Sequence, residues 1–154
     1  MRSGARDEAM YTLDASFHIS ALNPHEPESS ASQTLLRLFH ERRIPLFCPT
    51  LLPVEVAAAL ARTMGDTIQA MALAALVRDW PNQTLVPLDG ALMDRATDLA
   101  ASSRLRGADA VYAAVAQQFG TTLITLDRQQ LERLPPEVST VRPADLLGEF
   151  ETDG

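Results

Sequence analysis

Lysine is absent from this chain of 154 residues, so all 13 of its basic residues are arginines. A P-loop ATPase, a Schiff-base enzyme and a phospho-receiver domain normally use a lysine in their chemistry, and the sequence argues against all three. The net charge of -7 also argues against a broad basic surface for nucleic acid, because non-specific affinity comes from neutralising phosphates. One locally basic cleft is still compatible with that charge.

Cysteine, aromatic residues and long apolar runs are also scarce. The one cysteine, Cys48, rules out an internal disulfide and suits a reducing compartment, so we expect a cytoplasmic protein. Aromatic residues make up 5% of the chain, which argues against extensive stacking on bases. No apolar run approaches the roughly 18 residues of a membrane span, and no membrane partner is expected.

Several motifs of other enzyme classes are missing. No G-x-G-x-x-G follows the first predicted strand, and no G-x-S-x-G is present. A haloacid-dehalogenase phosphatase would need a second Asp where Ser16 stands. The three histidines show no zinc-type spacing. Dinucleotide binding, Ser-His-Asp hydrolysis and zinc chemistry are therefore disfavoured.

Short apolar runs alternate with helical periodicity along the chain. Helices are predicted from Ser30 or Ser32 to Arg43, after Thr50, from Thr67 to Asp79, over 91–103 and over 108–119, the last ending at Gly120. The predicted strands are 11–14, 44–49, 84–89, 121–127 and 139–143. This alternation predicts an α/β fold with a parallel sheet and helices on both faces.

The chain is long enough for one domain of ordinary size. Residues 1–9 are predicted to be a flexible leader, residues 10–147 the domain, and residues 148–154 an acidic, frayed tail.

Four acids stand where the strands end or the following helices begin. Asp14 and Asp127 end predicted strands, and Glu55 and Asp109 lie near helix starts. In a parallel sheet these positions meet at one edge, where ligands bind. Each acid also has a structural interpretation: a turn for Asp14, a helix dipole for Glu55, an N-cap for Asp109, and a capping box with Gln130 for Asp127.

Glu55 is the least expected of the four, because it stands in the apolar run LPVEVAAALAR, which indicates burial on every face. A buried carboxylate needs a charged partner. Neighbouring carboxylates repel by roughly 4 kcal/mol per close pair at an effective dielectric of about 20, so a cluster of four needs protons or a cation. Oxygen ligands favour Mg²⁺ or Mn²⁺, which can support attack on a phosphodiester.

The segments YTLDASFHI, LPVEVAAAL, RGADAVYAAVA and TTLITLDRQQL, in this order and spacing, resemble the four acidic motifs of the PIN domain family. They are most similar to those of the VapC-like ribonuclease toxins of toxin-antitoxin modules. The resemblance implies a three-layer fold with a parallel sheet of order 3-2-1-4-5, Mg²⁺-dependent endoribonuclease activity, homodimerisation and a cognate antitoxin partner. A PIN fold retained as an inert interaction module is the alternative.

By position, the resemblance implies that Asp14, Glu55, Asp109 and Asp127 are the catalytic and metal-binding acids. Ser16 and Thr125 match the small hydroxyl positions near the metal. Leu131 stands in the neighbourhood where the family often has Phe, so the departure from the family is largest near the fourth acid. The arginines best placed to contact RNA phosphates are Arg104, Arg106 and Arg128.

Overall fold

A computed structural model describes residues 9–152 of the chain. Its strands are β1 (Tyr11–Leu13), β2 (Leu46–Pro49), β3 (Gln83–Val86), β4 (Thr122–Ile124) and β5 (Thr140–Val141). Its helices are α1 (Ala15–Leu22), α2 (Ser29–Glu41), α3 (Leu52–Met64), α4 (Thr67–Arg78), α5 (Gly90–Ser103), α6 (Gly107–Phe119), α7 (Arg128–Arg133) and α8 (Pro143–Thr152). No helix within 9–152 combines the length and apolar character needed to span a membrane.

The strands form one sheet in the order β3-β2-β1-β4-β5, and every neighbouring pair in it is parallel. This confirms the predicted order 3-2-1-4-5. The chain builds outwards from β1 through β2 to β3, and then crosses to the other side of β1 to add β4 and β5. The order therefore reverses between β1 and β4. In parallel α/β sheets a reversal of this kind marks a crevice at the carboxyl ends of the strands.

Helices cover both faces of the sheet and bury two hydrophobic clusters. The larger cluster includes Phe17 of α1, Leu35 of α2 and Leu60 of α3. The second includes Leu92 of α5 and Val115 of α6. Helix α6 is apolar on most of its surface because it contacts β1, β2 and β4 as well as α5. It therefore fixes the position of its own first turn against the strand ends.

The predicted start of α2 at Ser30 or Ser32 was wrong, and the predicted start of α4 at Thr67 is confirmed. Helix α2 begins at Ser29, after Glu28, whose side chain makes no capping bond. Asp66 caps α4 by accepting a hydrogen bond from the Gln69 N–H at 3.0 Å. The predicted end of α6 at Gly120 is confirmed, because Gly120 has a φ of 65° in the left-handed region that glycine tolerates.

The expected acidic tail is instead helical as far as Thr152. Leu146 and Phe150 are four residues apart on one face of α8, and both are buried. The Phe150 ring packs edge-on against Phe39 with centroids 6.4 Å apart, and the Arg42 guanidinium lies 5.1 Å from its centre. These contacts make α8 part of the folded domain beyond Leu147. Residues 1–8 of the expected leader lie outside the described residues.

Candidate active site

Asp14 follows β1 directly and is almost completely buried at the crevice between β1 and β4. Its Oδ1 accepts hydrogen bonds from the Ser16 hydroxyl at 2.6 Å and from the Phe17 N–H at 3.2 Å, so it caps α1. Its Oδ2 accepts a hydrogen bond from the Thr125 hydroxyl at 2.6 Å. Both oxygens thus have donors, and Oδ2, which accepts one bond where Oδ1 accepts two, keeps a further lone pair.

Ser16 and Thr125 join the two loops that follow β1 and β4. The Ser16 hydroxyl oxygen accepts a hydrogen bond from the Leu126 N–H at 3.0 Å. The Thr125 hydroxyl oxygen accepts one from the Asp127 N–H at 2.9 Å. Each hydroxyl therefore donates to the Asp14 carboxylate and accepts from a backbone N–H of the segment that follows β4.

Asp109 lies in the first turn of α6, whose N-cap is Arg106. The plain N-cap interpretation of Asp109 is therefore wrong. Its Oδ2 is buried and has no hydrogen-bond partner among the described residues. Burial, followed by the charges of Asp127 and Glu55, raises the pKa of Asp109 to about 6, while Arg106 acts in the opposite direction. Asp109 is thus a half-buried carboxylate among other negative charges.

Burial likewise raises the pKa of Asp14 to about 6. The bonds from Ser16, Thr125 and Phe17 oppose that shift, and the charge of Asp109 adds to it. Asp109 therefore interacts with each of the other three acids, and the structure brings all four to one edge of the sheet. Each ionised carboxylate makes ionisation of the next more costly.

Glu55 lies in the first turn of α3 and is half-buried. The prediction that its segment is buried on every face was wrong, because Val54 is 63% exposed. Within residues 9–152 Glu55 forms no ion pair with Arg62 or another basic group. Its electrostatic neighbours are Asp109 and Tyr112. The partner that its burial requires is therefore not an arginine of this domain.

Asp127 caps α7 by accepting a hydrogen bond from the Gln130 N–H at 3.0 Å. This confirms one half of the predicted capping box. The other half is absent from the described structure, because the Asp127 N–H donates to the Thr125 hydroxyl at 2.9 Å and not to the Gln130 Oε1. The Gln130 amide donates to the Asp109 carbonyl at 3.1 Å. Asp127 is consequently both a helix cap and a charge that raises the pKa of Asp109.

Tyr112 is a neighbour of the acids that the motifs did not identify. Its side chain is buried, and its hydroxyl has no hydrogen bond of normal geometry in the described part of the chain. Burial, followed by the proximity of Glu55 and Asp14, raises the pKa of this hydroxyl. The available signal was spacing, since Tyr112 follows Asp109 by three residues and shares its helix face.

The three candidate arginines differ in where they lie. Arg106 is exposed at the N-cap of α6, and its charge reaches Asp109. Arg104 ends α5 in the left-handed conformation, and its carbonyl accepts a bond from Arg133 at 2.8 Å. Arg128 is exposed and lies 3.9 Å from Glu132. Of these three arginines, Arg106 is the one whose charge lowers the pKa of an acid of the site, Asp109.

The acidic site suits a divalent cation in its donor chemistry. Within residues 9–152, no three acidic, histidine or cysteine side chains are already arranged as a metal site. The four carboxylates nevertheless offer hard oxygens, and the Asp109 Oδ2 is buried without a donor. A cation would also offset the burial and, to a smaller extent, the repulsion that raise the pKa of Asp14 and Asp109. The residues therefore fit Mg²⁺ or Mn²⁺.

The sequence model of one protein family, described as PIN domain, matches residues 11–135. The chain belongs to the PIN domain family. The matched region spans all four acids of this PIN domain, from Asp14 to Asp127. No curated protein matches the chain by sequence.

Solved structures share the fold of this PIN domain at low sequence identity. VapBC2 from Rickettsia felis, bound to a promoter DNA fragment, matches with a TM-score of 0.67, 12% identity and coverage of 86% of this chain and 98% of its own. VapC20 from Mycobacterium tuberculosis, a sarcin-ricin loop cleaving toxin, matches with a TM-score of 0.66 and 18% identity, and the match covers 84% of this chain and 98% of VapC20. PAE2754 from Pyrobaculum aerophilum matches with a TM-score of 0.66 and 21% identity, and the match covers 94% of this chain and 97% of PAE2754. Nearly the whole of each structure is thus matched.

Proposed function

We propose that this PIN domain is a Mg²⁺-dependent endoribonuclease and the toxin of a type II toxin-antitoxin module, with Mn²⁺ as a possible substitute. The observation that carries the proposal is the convergence of four acids at the crevice between β1 and β4, where Asp109 interacts electrostatically with the other three. Repelling carboxylates at the carboxyl edge of a parallel sheet are expected at a cation site.

The positions of the site residues suggest two roles, metal binding for the acids and orientation of the Asp14 carboxylate for the hydroxyls. Asp14 and Asp109 are proposed as the main metal ligands, with Glu55 and Asp127 completing the acidic site. Ser16 and Thr125 hold the Asp14 carboxylate in one orientation through bonds of 2.6 Å each. When bound, Mg²⁺ supplies the positive charge and Lewis acidity for hydrolysis of a phosphodiester.

RNA contacts are proposed for the arginines around the acidic site. The charge of Arg106 lowers the pKa of Asp109. Arg104 lies just before α6, and Arg128 is the first residue of α7. Guanidinium groups suit phosphate because their planar donors match its oxygens. The net charge of -7 makes such local positive groups necessary for an RNA substrate.

The similar structures support partners of a specific kind. One is described as a toxin that cleaves the sarcin-ricin loop. Another, from Klebsiella pneumoniae, is described as a toxin-antitoxin complex. We extend these descriptions to this chain as a proposal: a cytoplasmic protein that acts on RNA, forms a homodimer and is bound by a cognate antitoxin.

A Mg²⁺-dependent cleavage assay tests the proposal against an inert interaction module. Purified protein is incubated with total RNA in Mg²⁺ or in EDTA, beside Asp109→Asn and the control Asp66→Asn, a capping acid of α4 outside the site. We expect cleavage by the wild type and the control, and none by Asp109→Asn or in EDTA. Equal cleavage by Asp109→Asn would indicate a contaminant. No cleavage by a wild type that binds Mn²⁺ would favour the interaction module.

A further inference from the structure

Gln130 is a fully buried polar residue that bonds two of the acidic residues at once. Its backbone N–H donates to the Asp127 Oδ1 at 3.0 Å, and its side-chain amide donates to the Asp109 carbonyl at 3.1 Å. Asp109 opens α6, and Asp127 caps α7. One residue therefore ties the first turn of one helix to the cap of the other.

The amide is costly to keep in this position. The Gln130 Oε1 is buried and has no hydrogen-bond partner within residues 9–152. A buried carbonyl oxygen without a donor is unfavourable, whereas Met or Leu would fill similar space without that cost. The favourable part of the side chain is consequently the bond to Asp109, which an apolar residue cannot make.

We infer that Gln130 is a positioning residue that holds Asp127 beside Asp109, so that both carboxylates face the same cation. This inference rests on the proposed function, since it concerns the geometry of the proposed metal site. Asp127 belongs to a helix of only six residues, α7. A helix this short has few bonds of its own to fix it. The Thr125 hydroxyl holds the Asp127 N–H to the β4 side, and the link through Gln130 holds the helix to α6.

Gln83 provides a matched control at another part of the sheet. It lies at the start of β3, where its amide donates to the Val77 carbonyl at 2.8 Å. Its Oε1 is also buried without a partner in the described structure. Gln83 thus has the same bond and the same unpartnered oxygen as Gln130, but its partner is not an acid of the site.

The test compares Gln130→Met and Gln130→Leu with Gln83→Met. Hydrogen exchange of the metal-free proteins is measured by mass spectrometry, and Mn²⁺ affinity by calorimetry. We expect faster exchange in the first turn of α7 and a loss of Mn²⁺ affinity of about 10-fold, as for other residues that orient metal ligands. Gln83→Met should leave both quantities at the wild-type values. The two Gln130 variants differ in shape, so one packing defect cannot explain a result that they share.

A double mutant separates positioning from a general loss of packing. If Gln130 acts by placing Asp127, then Gln130→Met should lower Mn²⁺ affinity much less in an Asp127→Asn background than in the wild type. Unchanged affinity in both Gln130 variants, or an equal loss in Gln83→Met, would overturn the inference. If exchange in α7 accelerates but the wild type binds no Mn²⁺, the link between the helices stands and the proposed metal-dependent function fails.

Discussion

The Thr125 hydroxyl donates a 2.6 Å hydrogen bond to the Asp14 carboxylate and accepts a 2.9 Å bond from the Asp127 N–H. Thr125 is completely buried. Its hydroxyl therefore fixes two of the four acids relative to each other across the pairing of β1 with β4.

Thr125→Val should destabilise the protein by about 1–3 kcal/mol, because it keeps the shape but leaves the Asp127 N–H and the Asp14 carboxylate without this partner. Thr125→Ser keeps the hydroxyl and loses one methyl group, which costs about 1 kcal/mol. Urea denaturation with EDTA measures both. A Val variant as stable as the wild type would show that the two bonds are not needed to hold the crevice.

Asp109→Asn should stabilise the metal-free protein at pH 7. The pKa of Asp109 is about 6 in the folded state against an ordinary value of 3.8. The native state thus binds more protons than the unfolded state between pH 4 and 6, and this acid's contribution to stability falls as pH rises through that window. Asn cannot ionise, so it avoids this loss and should raise the free energy of unfolding at pH 7 by on the order of 1 kcal/mol, a figure reduced for the partial exposure of the side chain.

Denaturation curves of the wild type and Asp109→Asn between pH 4 and 7 check this prediction. The difference in stability should shrink as pH falls from 7 to 4, because the carboxyl becomes protonated in the folded state and, nearer its ordinary pKa of 3.8, begins to be protonated in the unfolded state. His18 acts in the opposite direction, since burial lowers its pKa to about 4. It is present in both proteins and cancels in the difference. A difference that does not vary with pH would contradict the assigned titration of Asp109.

Asp127→Asn and Asp127→Ala separate the capping role of this acid from its charge. Asn caps a helix about as well as Asp, whereas Ala costs typically about 1 kcal/mol. We expect Asp127→Asn to melt like the wild type in EDTA, to bind Mn²⁺ more weakly and to cleave RNA more slowly, with a smaller loss of activity than at Asp14 or Asp109. If Asp127 is only a cap, Asp127→Asn will match the wild type in every assay.

Tyr112→Phe should leave the metal-free protein as stable as the wild type, or more stable by up to about 1 kcal/mol. The change removes a buried hydroxyl that has no normal hydrogen bond and keeps the ring. Chemical denaturation beside Tyr11→Phe, the other tyrosine of the chain, measures the effect. A loss above about 1 kcal/mol would mean that the hydroxyl has a partner, for which Glu55 is the candidate.

Homodimerisation is expected through the apolar surface of α3 and α4. The exposed side chains there are Val54, Ile68, Met71 and Leu76, with Ile68 82% exposed. Light scattering should give about twice the chain mass of 16.8 kDa. Met71→Glu should shift the protein to the monomer, and Arg37→Glu, at an exposed position of α2, should not. A wild type that stays monomeric at high concentration would remove the dimer without affecting the nuclease proposal.

The strand-helix alternation was enough to predict the parallel sheet, because each buried strand and each helix carries its own periodic pattern. The strand order came from the family resemblance, and the structure confirms it. Helices α1, α7 and α8 were not predicted as helices. They are short, and two of them begin at Asp14 and Asp127, whose capping bonds look the same in sequence as a strand end or a turn.

The positions of the acids followed from strand ends, but their surroundings did not. The exposure of Val54 depends on what α3 packs against, which its local sequence does not contain. Gln130 was read as half of a local capping box, yet its amide bonds a residue 21 positions away. The burial of Phe150 likewise depends on Phe39 and Arg42, more than 100 residues away in the sequence. Local patterns determine elements, and contacts between remote segments determine the site.

The pairing of β1 with β4 also sets when this site comes into existence in a cell. Asp14 is synthesised 111 residues before its hydroxyl partner Thr125. Pairing over such a separation has to wait until the intervening chain has been synthesised and folded. A nascent chain therefore carries its first acids without the strand that completes the crevice. A message broken before the codon for Thr125 would yield a product that lacks both Thr125 and Asp127, and so cannot assemble the acidic site.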